Sequence, residues 1–88
     1  MARILLVDDE PSILSVLCTL MKSEGHESVA VRGGEKAQEI LLAESFDLMI
    51  SDIRMAPVDG LQLLKVAHRE RPDMAVIMLT AYGSVETA

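Results

Sequence analysis

Short, unbroken apolar runs alternate along this chain with stretches whose apolar residues recur at helical spacing. The runs are Arg3-Ile4-Leu5-Leu6-Val7, Asp47-Leu48-Met49-Ile50-Ser51 and Ala75-Val76-Ile77-Met78-Leu79. Each is continuous where a half-exposed strand would alternate, as expected of strands buried on both faces of a parallel sheet. Ser28-Val29-Ala30-Val31 predicts a further short strand. Between the first two strands, Ile13, Leu14, Val16, Leu17, Leu20 and Met21 share a helical period. Glu10-Pro11 suits the start of that helix, and Gly25 suits its end. Gly33-Gly34 then breaks the chain, and Glu35 to Glu44 reads as a helix burying Ala37, Ile40 and Leu41. Leu61, Leu63, Leu64, Val66 and Ala67 mark a third helix. It must stop by Arg71, because Pro72 disfavours helical backbone in the residue before it. Pro72-Asp73 is the turn into the last strand.

The resulting order, βαβαβαβ with short connections, predicts an α/β fold: a doubly wound parallel sheet with crossover helices on both faces. The three strong strands end on Asp8-Asp9, Asp52 and Thr80. Sites in open α/β sheets lie beyond the carboxyl ends of the strands, so three carboxylates and a hydroxyl are expected at one edge. Two carboxylates about 4 Å apart repel by roughly 4 kcal/mol at an effective dielectric near 20. Such a cluster raises its pKa values or takes up a cation. Hard oxygen donors on a partly open rim suit Mg2+, which keeps several waters and often shares a phosphate. An exposed, cation-bound carboxylate is in turn a reasonable nucleophile for phosphoryl transfer. Taken singly, Asp8-Asp9 could cap the first helix, and Asp52 and Thr80 could be ordinary turn and strand-end residues. Their joint placement on three strand ends favours the functional reading.

Half of the 88 residues are apolar and a quarter are charged, a globular composition with room for one domain. The net charge of −6 offers no electrostatic footprint for nucleic acid or anionic lipid. No apolar run approaches the roughly 18 residues of a membrane span, and the N-terminus lacks the layout of a secretory signal. With its single cysteine, Cys18, read as a small apolar helix residue, the chain is expected to be cytoplasmic. His26 and His68 read as solvated surface residues. Gly33-Gly34 follows the second strand and lacks dinucleotide-loop spacing, so it reads as a turn. Residues 80–88 read as strand end, loop and helix start, with Ser84 as a possible N-cap. The sequence therefore looks like a domain cut short within its next helix.

Val7-Asp8-Asp9-Glu10, Ser51-Asp52-Ile53-Arg54-Met55, Asp59-Gly60-Leu61 and Leu79-Thr80-Ala81 resemble the receiver domain of two-component response regulators over the whole chain. The resemblance implies a flavodoxin-like sheet, here truncated to about four strands and three helices. Residues 1–88 would form a receiver domain lacking the fifth strand and final helices. It implies that Asp52 accepts a phosphoryl group from a phosphohistidine on a sensor histidine kinase. Asp9 would bind Mg2+ directly, Asp8 mostly through water, and the Arg54 carbonyl would be a further ligand. Thr80 would be the switch hydroxyl, with the Ala81 backbone N–H beside it, and Gly60 would allow the tight backbone before the third helix. Residues 79–88 further resemble receivers of nitrogen-regulator-type transcription activators, so an output domain is expected outside this sequence.

Two departures from the family pattern stand out. Met55-Ala56-Pro57 displaces by one place a proline that usually follows the methionine directly. The lysine that family members carry after their fifth strand would fall beyond Ala88, and Lys22, Lys36 and Lys65 lie on or beside helices. A receiver-like interaction module that is not itself phosphorylated is the competing expectation. A hydrolase with an aspartate nucleophile would need Asp-x-Asp at the first strand end, which Asp8-Asp9-Glu10 does not supply. An open edge at the Ala75–Leu79 strand predicts a homodimer or domain-swapped assembly.

Overall fold

Strand β1 (Arg3–Val7) runs through the interior of a four-stranded parallel sheet. The computed structural model describes residues 1–52 and 60–79; the readings for Arg54, Met55-Ala56-Pro57, Thr80, Ala81 and Ser84 lie outside them. After β1 come α1 (Pro11–Ser23), β2 (Glu27–Val31), α2 (Gly34–Ala43), β3 (Leu48–Asp52), α3 (Gly60–Glu70) and β4 (Ala75–Leu79). The strand order is β2-β1-β3-β4, every pairing parallel. This is the doubly wound arrangement that the alternating pattern predicts.

Because successive strand residues point to opposite faces, the apolar run of β1 feeds two cores. Leu5 and Val7 join Val31, Ala37, Leu41, Phe46, Met49, Leu63, Ala67 and Met74 on the side covered by α2 and α3. Ile4 and Leu6 join Leu14 and Ile50 on the side of α1, with Leu17, Cys18 and Met21 packed against them. Burial on both faces explains why Ile4, Leu5, Leu6 and Val7 are all at most 2% exposed. Removing a branched side chain of this size from such a core costs about 2–5 kcal/mol.

The helix ends follow the sequence signals. Pro11 occupies the first turn of α1, where its missing N–H costs nothing. At the other end Gly25 takes φ +83°. Its N–H donates to the Lys22 carbonyl at 3.0 Å, and that of His26 donates to the Met21 carbonyl at 2.9 Å. This is a Schellman closure of the last turn. Glycine at this position is required by the left-handed backbone.

Four details differ from expectation. The apolar arc of α1 is wider than the face it buries: Leu14 is buried, whereas Ile13, Val16 and Leu20 are 40%, 58% and 50% exposed. Leu61 of α3 is exposed as well, and Ile40 of α2 is half-buried. β2 begins at Glu27, one residue before the predicted Ser28, because the Glu27 N–H donates to the Ala2 carbonyl at 3.0 Å. Finally, His26 is no free surface residue: its Nδ1 accepts the Ala2 N–H at 2.9 Å in a half-buried setting. β4 stands at the edge of the described sheet, with Ile77 47% exposed.

Candidate functional site

Parallel register carries the acidic residues to a common edge. Val7 of β1 pairs with Val31 of β2 and with Ser51 of β3, and Asp52 of β3 pairs with Leu79 of β4. Asp8 is thus the next residue beyond β1 at the level where Asp52 ends β3. Neighbouring strands lie about 4.8 Å apart, so the two carboxyl groups project from adjacent positions. Thr80 follows Leu79 in sequence and lies outside the described residues.

The three aspartates differ in environment. Asp8 is 2% exposed. Its N–H donates to the Val31 carbonyl at 3.3 Å, extending the ladder past β1. Its Oδ1 accepts the Glu10 N–H at 2.9 Å, which braces the turn into α1. Asp8 does not cap the helix itself: Glu10 holds that position, without a side-chain cap. Asp52 is half-buried and Asp9 is exposed. Burial pushes the Asp8 carboxyl above the usual carboxylate range, the Glu10 hydrogen bond pulls it back, and the charges of Asp52 and Asp9 push it up again. Asp8, Asp52 and Asp9 are therefore electrostatically coupled.

They do not form a ready-made cage. Among the described residues no group of three or more His, Cys, Asp or Glu side chains is drawn close enough to hold a metal ion. This donor set still fits Mg2+, which is commonly bound through only one or two carboxylates and keeps water or phosphate in its other positions. Asp8 and Asp52 supply hard oxygens from adjacent strands, and the open flank at Asp9 leaves room for water.

Two residues near the cluster are given no site role by the sequence motifs. Ser51 is fully buried between Val7 and Met78 in the register, its hydroxyl donating to the Asp52 carbonyl at 3.0 Å. Gly33, at the N-cap of α2, approaches Asp9: a Cβ built on it would lie 3.7 Å from Asp9 Oδ1. The one signal for Gly33 was its place beyond the carboxyl end of β2, the same edge of the sheet.

Comparison with known proteins places this geometry in context. The family model for the response regulator receiver domain matches residues 4–88. The transcriptional regulatory protein GlrR of Escherichia coli (strain K12) is 42% identical over 87 residues, covering 99% of this chain and 20% of that protein. The nitrogen assimilation regulatory protein NtrX of Azorhizobium caulinodans is 34% identical over 87 residues, covering 97% and 19% respectively. The chain thus spans about a fifth of the length of these curated relatives. Among solved structures, the response regulator TrrA of Thermotoga maritima in complex with Mg(2+)-BeF matches with a TM-score of 0.89 and 36% identity, covering 99% of this chain and 76% of that one. TrrA in complex with the histidine kinase ThkA matches with a TM-score of 0.86 and 37% identity, covering 94% and 72%.

Proposed function

Because the chain belongs to the response regulator receiver family, we propose that Asp52 accepts a phosphoryl group from a sensor histidine kinase, with Mg2+ held at the same edge. An Asp52 carboxylate oxygen bonds to phosphorus as the P–N bond to the kinase imidazole breaks. The electron pair returns to nitrogen, and the product is an acyl phosphate on Asp52. Asp8, Asp9, Asp52 and the Arg54 carbonyl would hold the cation. When bound, it neutralises the carboxylates and the charge of the incoming phosphoryl oxygens. The Thr80 hydroxyl and the Ala81 N–H would donate to a phosphoryl oxygen. The added charge of about −1.5 to −2 would then bias the segment that follows between two arrangements.

The observation that carries this reading is the coupling of Asp8 to Asp52. A carboxyl 2% exposed, crowded by two like charges at a strand-end edge, is a poor stability device. It is a good cation site. A second observation concerns the donor. Ile13, Val16 and Leu20 form an exposed apolar stripe on α1, the helix that starts directly after Asp9 and Glu10. A helical kinase segment seated there would present its phosphohistidine to the carboxyl edge. TrrA has been solved with a histidine kinase, and with Mg(2+)-BeF, which supports both the partner and the cation. The relatives are about five times longer than this chain and are named transcriptional and nitrogen assimilation regulators. We therefore take the 1–88 unit as the receiver of such a regulator, its output transcriptional.

Incubation with Mg2+ and acetyl phosphate, followed by intact-mass measurement, tests the proposal. Wild type should gain one phosphoryl group and Asp52→Asn none. A gain that survives in Asp52→Asn moves the acceptor elsewhere. No gain in wild type, or in a longer chain that contains it, leaves a binding module.

A further inference from the structure

We infer that Gly33 is a positioning residue for Asp9, keeping the outer flank of that carboxylate open to a hydrated cation. The inference rests on the reading of Asp9 as a Mg2+-facing group. Gly33 is the N-cap of α2, with φ +95° and ψ 153°. That combination lies in a region open essentially to glycine alone. Its carbonyl accepts the Ala37 N–H at 3.3 Å, so the unusual backbone is fixed by the first turn of the helix. Asp9 is exposed and follows Asp8 beyond β1, while Gly33 follows Arg32 beyond β2, the paired neighbour strand. A Cβ at Gly33 would meet Asp9 Oδ1 at 3.7 Å, an ordinary contact, and every atom beyond Cβ would add bulk beside the carboxylate. The glycine therefore does two things at once: it permits the backbone, and it leaves the oxygen uncrowded.

The chain supplies its own control for the first of these. Gly25 has nearly the same φ, +83°, but nothing lies within 4 Å of a Cβ built there. It ends α1 ahead of β2, at the amino ends of the strands, remote from Asp9. Gly25→Ala likewise forces an L side chain to positive φ, but without touching the cluster.

The test is a calorimetric Mg2+ titration of wild type, Gly33→Ala, Gly25→Ala and Asp9→Asn. Supporting groups around a metal typically change affinity by 10–100-fold. Gly33→Ala should weaken binding by about tenfold, while Gly25→Ala stays within about twofold of wild type. Equal affinities in the two alanine variants would overturn the inference and leave the Mg2+ site intact. Asp9→Asn binding as tightly as wild type would overturn the reading of Asp9, and the inference with it. A second pair guards against a poorly folded Gly33→Ala. Gly33→Asn and Gly33→Asp share strain and bulk, and differ in a charge placed beside Asp9. The aspartate should bind Mg2+ about fivefold tighter than the asparagine. Indistinguishable affinities would show that position 33 does not reach the cation.

Discussion

Replacing Asp8 by asparagine should stabilise this domain in the absence of divalent cations. Asn keeps the shape of the side chain and can still accept the Glu10 N–H that Asp8 Oδ1 takes at 2.9 Å. What it removes is a charge at a site 2% exposed, facing Asp52 and Asp9. At the roughly 4.8 Å spacing of neighbouring strands, two unit charges repel by about 3 kcal/mol at an effective dielectric near 20. Water at the open rim screens part of this, since Asp9 is exposed and Asp52 half-exposed. The discounted gain is about 1–2 kcal/mol. In a domain of this size that raises Tm by roughly 4–16 °C. The pH dependence has a definite sign. The native Asp8 carboxyl holds its proton more tightly than the unfolded one, so ionisation disfavours the fold as pH rises through the raised pKa. Asn escapes that loss. Its advantage should be full at neutral pH and fade towards about pH 4, where the unfolded carboxyl also protonates. Mg2+ should reverse the ranking, because binding at 100 times Kd stabilises wild type by about 2.7 kcal/mol. Thermal melts of both proteins over a pH series, with chelator and with Mg2+, make the comparison. A chelated Asp8→Asn no more stable than wild type at neutral pH, or an advantage undiminished in acid, would refute the reasoning.

Val16→Lys on the exposed stripe of α1 should slow phosphoryl transfer from a histidine kinase about tenfold or more while leaving acetyl phosphate labelling unchanged. Equal slowing with both donors would remove the stripe from kinase docking. His26→Ala should lower stability by about 1 kcal/mol, because the half-buried Ala2 N–H loses its acceptor; a urea midpoint unmoved by the substitution would deny that hydrogen bond. Light scattering of the 88-residue chain should give a dimer or larger species, since β4 stands at the edge of the described sheet with Ile77 47% exposed. Its monomeric elution at high concentration would exclude pairing through that edge.

β1 and β3 were legible because burial on both faces writes itself as continuous apolar runs. They were read almost to the residue for that reason, and their terminal aspartates with them. β4, equally apolar in sequence, is an edge strand of the described sheet with no fully buried residue. β2 was harder to read. It is an edge strand with burial confined to Val31 and partial cover at Ser28 and Val29, so its sequence lacks a long apolar run. The width of the α1 stripe misled in the other direction: apolar residues are not all buried, and Ile13, Val16 and Leu20 are exposed in the described structure. The tie between His26 and Ala2 joins residues 24 apart in sequence, and the approach of Gly33 to Asp9 depends on strand register. No local pattern encodes either. The roles of Arg54, Thr80 and Ala81 rest on motif resemblance, as those positions lie outside the described residues.

The two ends of the sheet do opposite physical work. At the amino ends of the strands the groups are mutually satisfied. The Arg3 N–H donates to Asp47 Oδ2 at 2.8 Å, and the Arg3 guanidinium donates to the Ser45 carbonyl at 2.9 Å and to Glu44. It also stacks over the Phe46 ring at 4.6 Å and faces Glu27. His26 holds the preceding N–H of Ala2. Two separate segments, 26–27 and 44–47, are thereby tied to the start of β1, the strand on which both cores depend. At the carboxyl ends, like charges meet instead, with Asp8 pushed upward in pKa by burial and by Asp52 and Asp9. A sheet anchored at one edge can tolerate unfavourable electrostatics at the other. That unfavourable edge is what gives a cation or a phosphoryl group leverage, since a ligand shifts a fold only by the free energy it relieves there. The five residues of β1 separate the two ends by about 16 Å, far enough for substitutions at Arg3 and Asp8 to act independently. The anchor therefore bears on how stable the domain is, and on the proposed reading the aspartates would set how that stability responds to Mg2+ and phosphorylation.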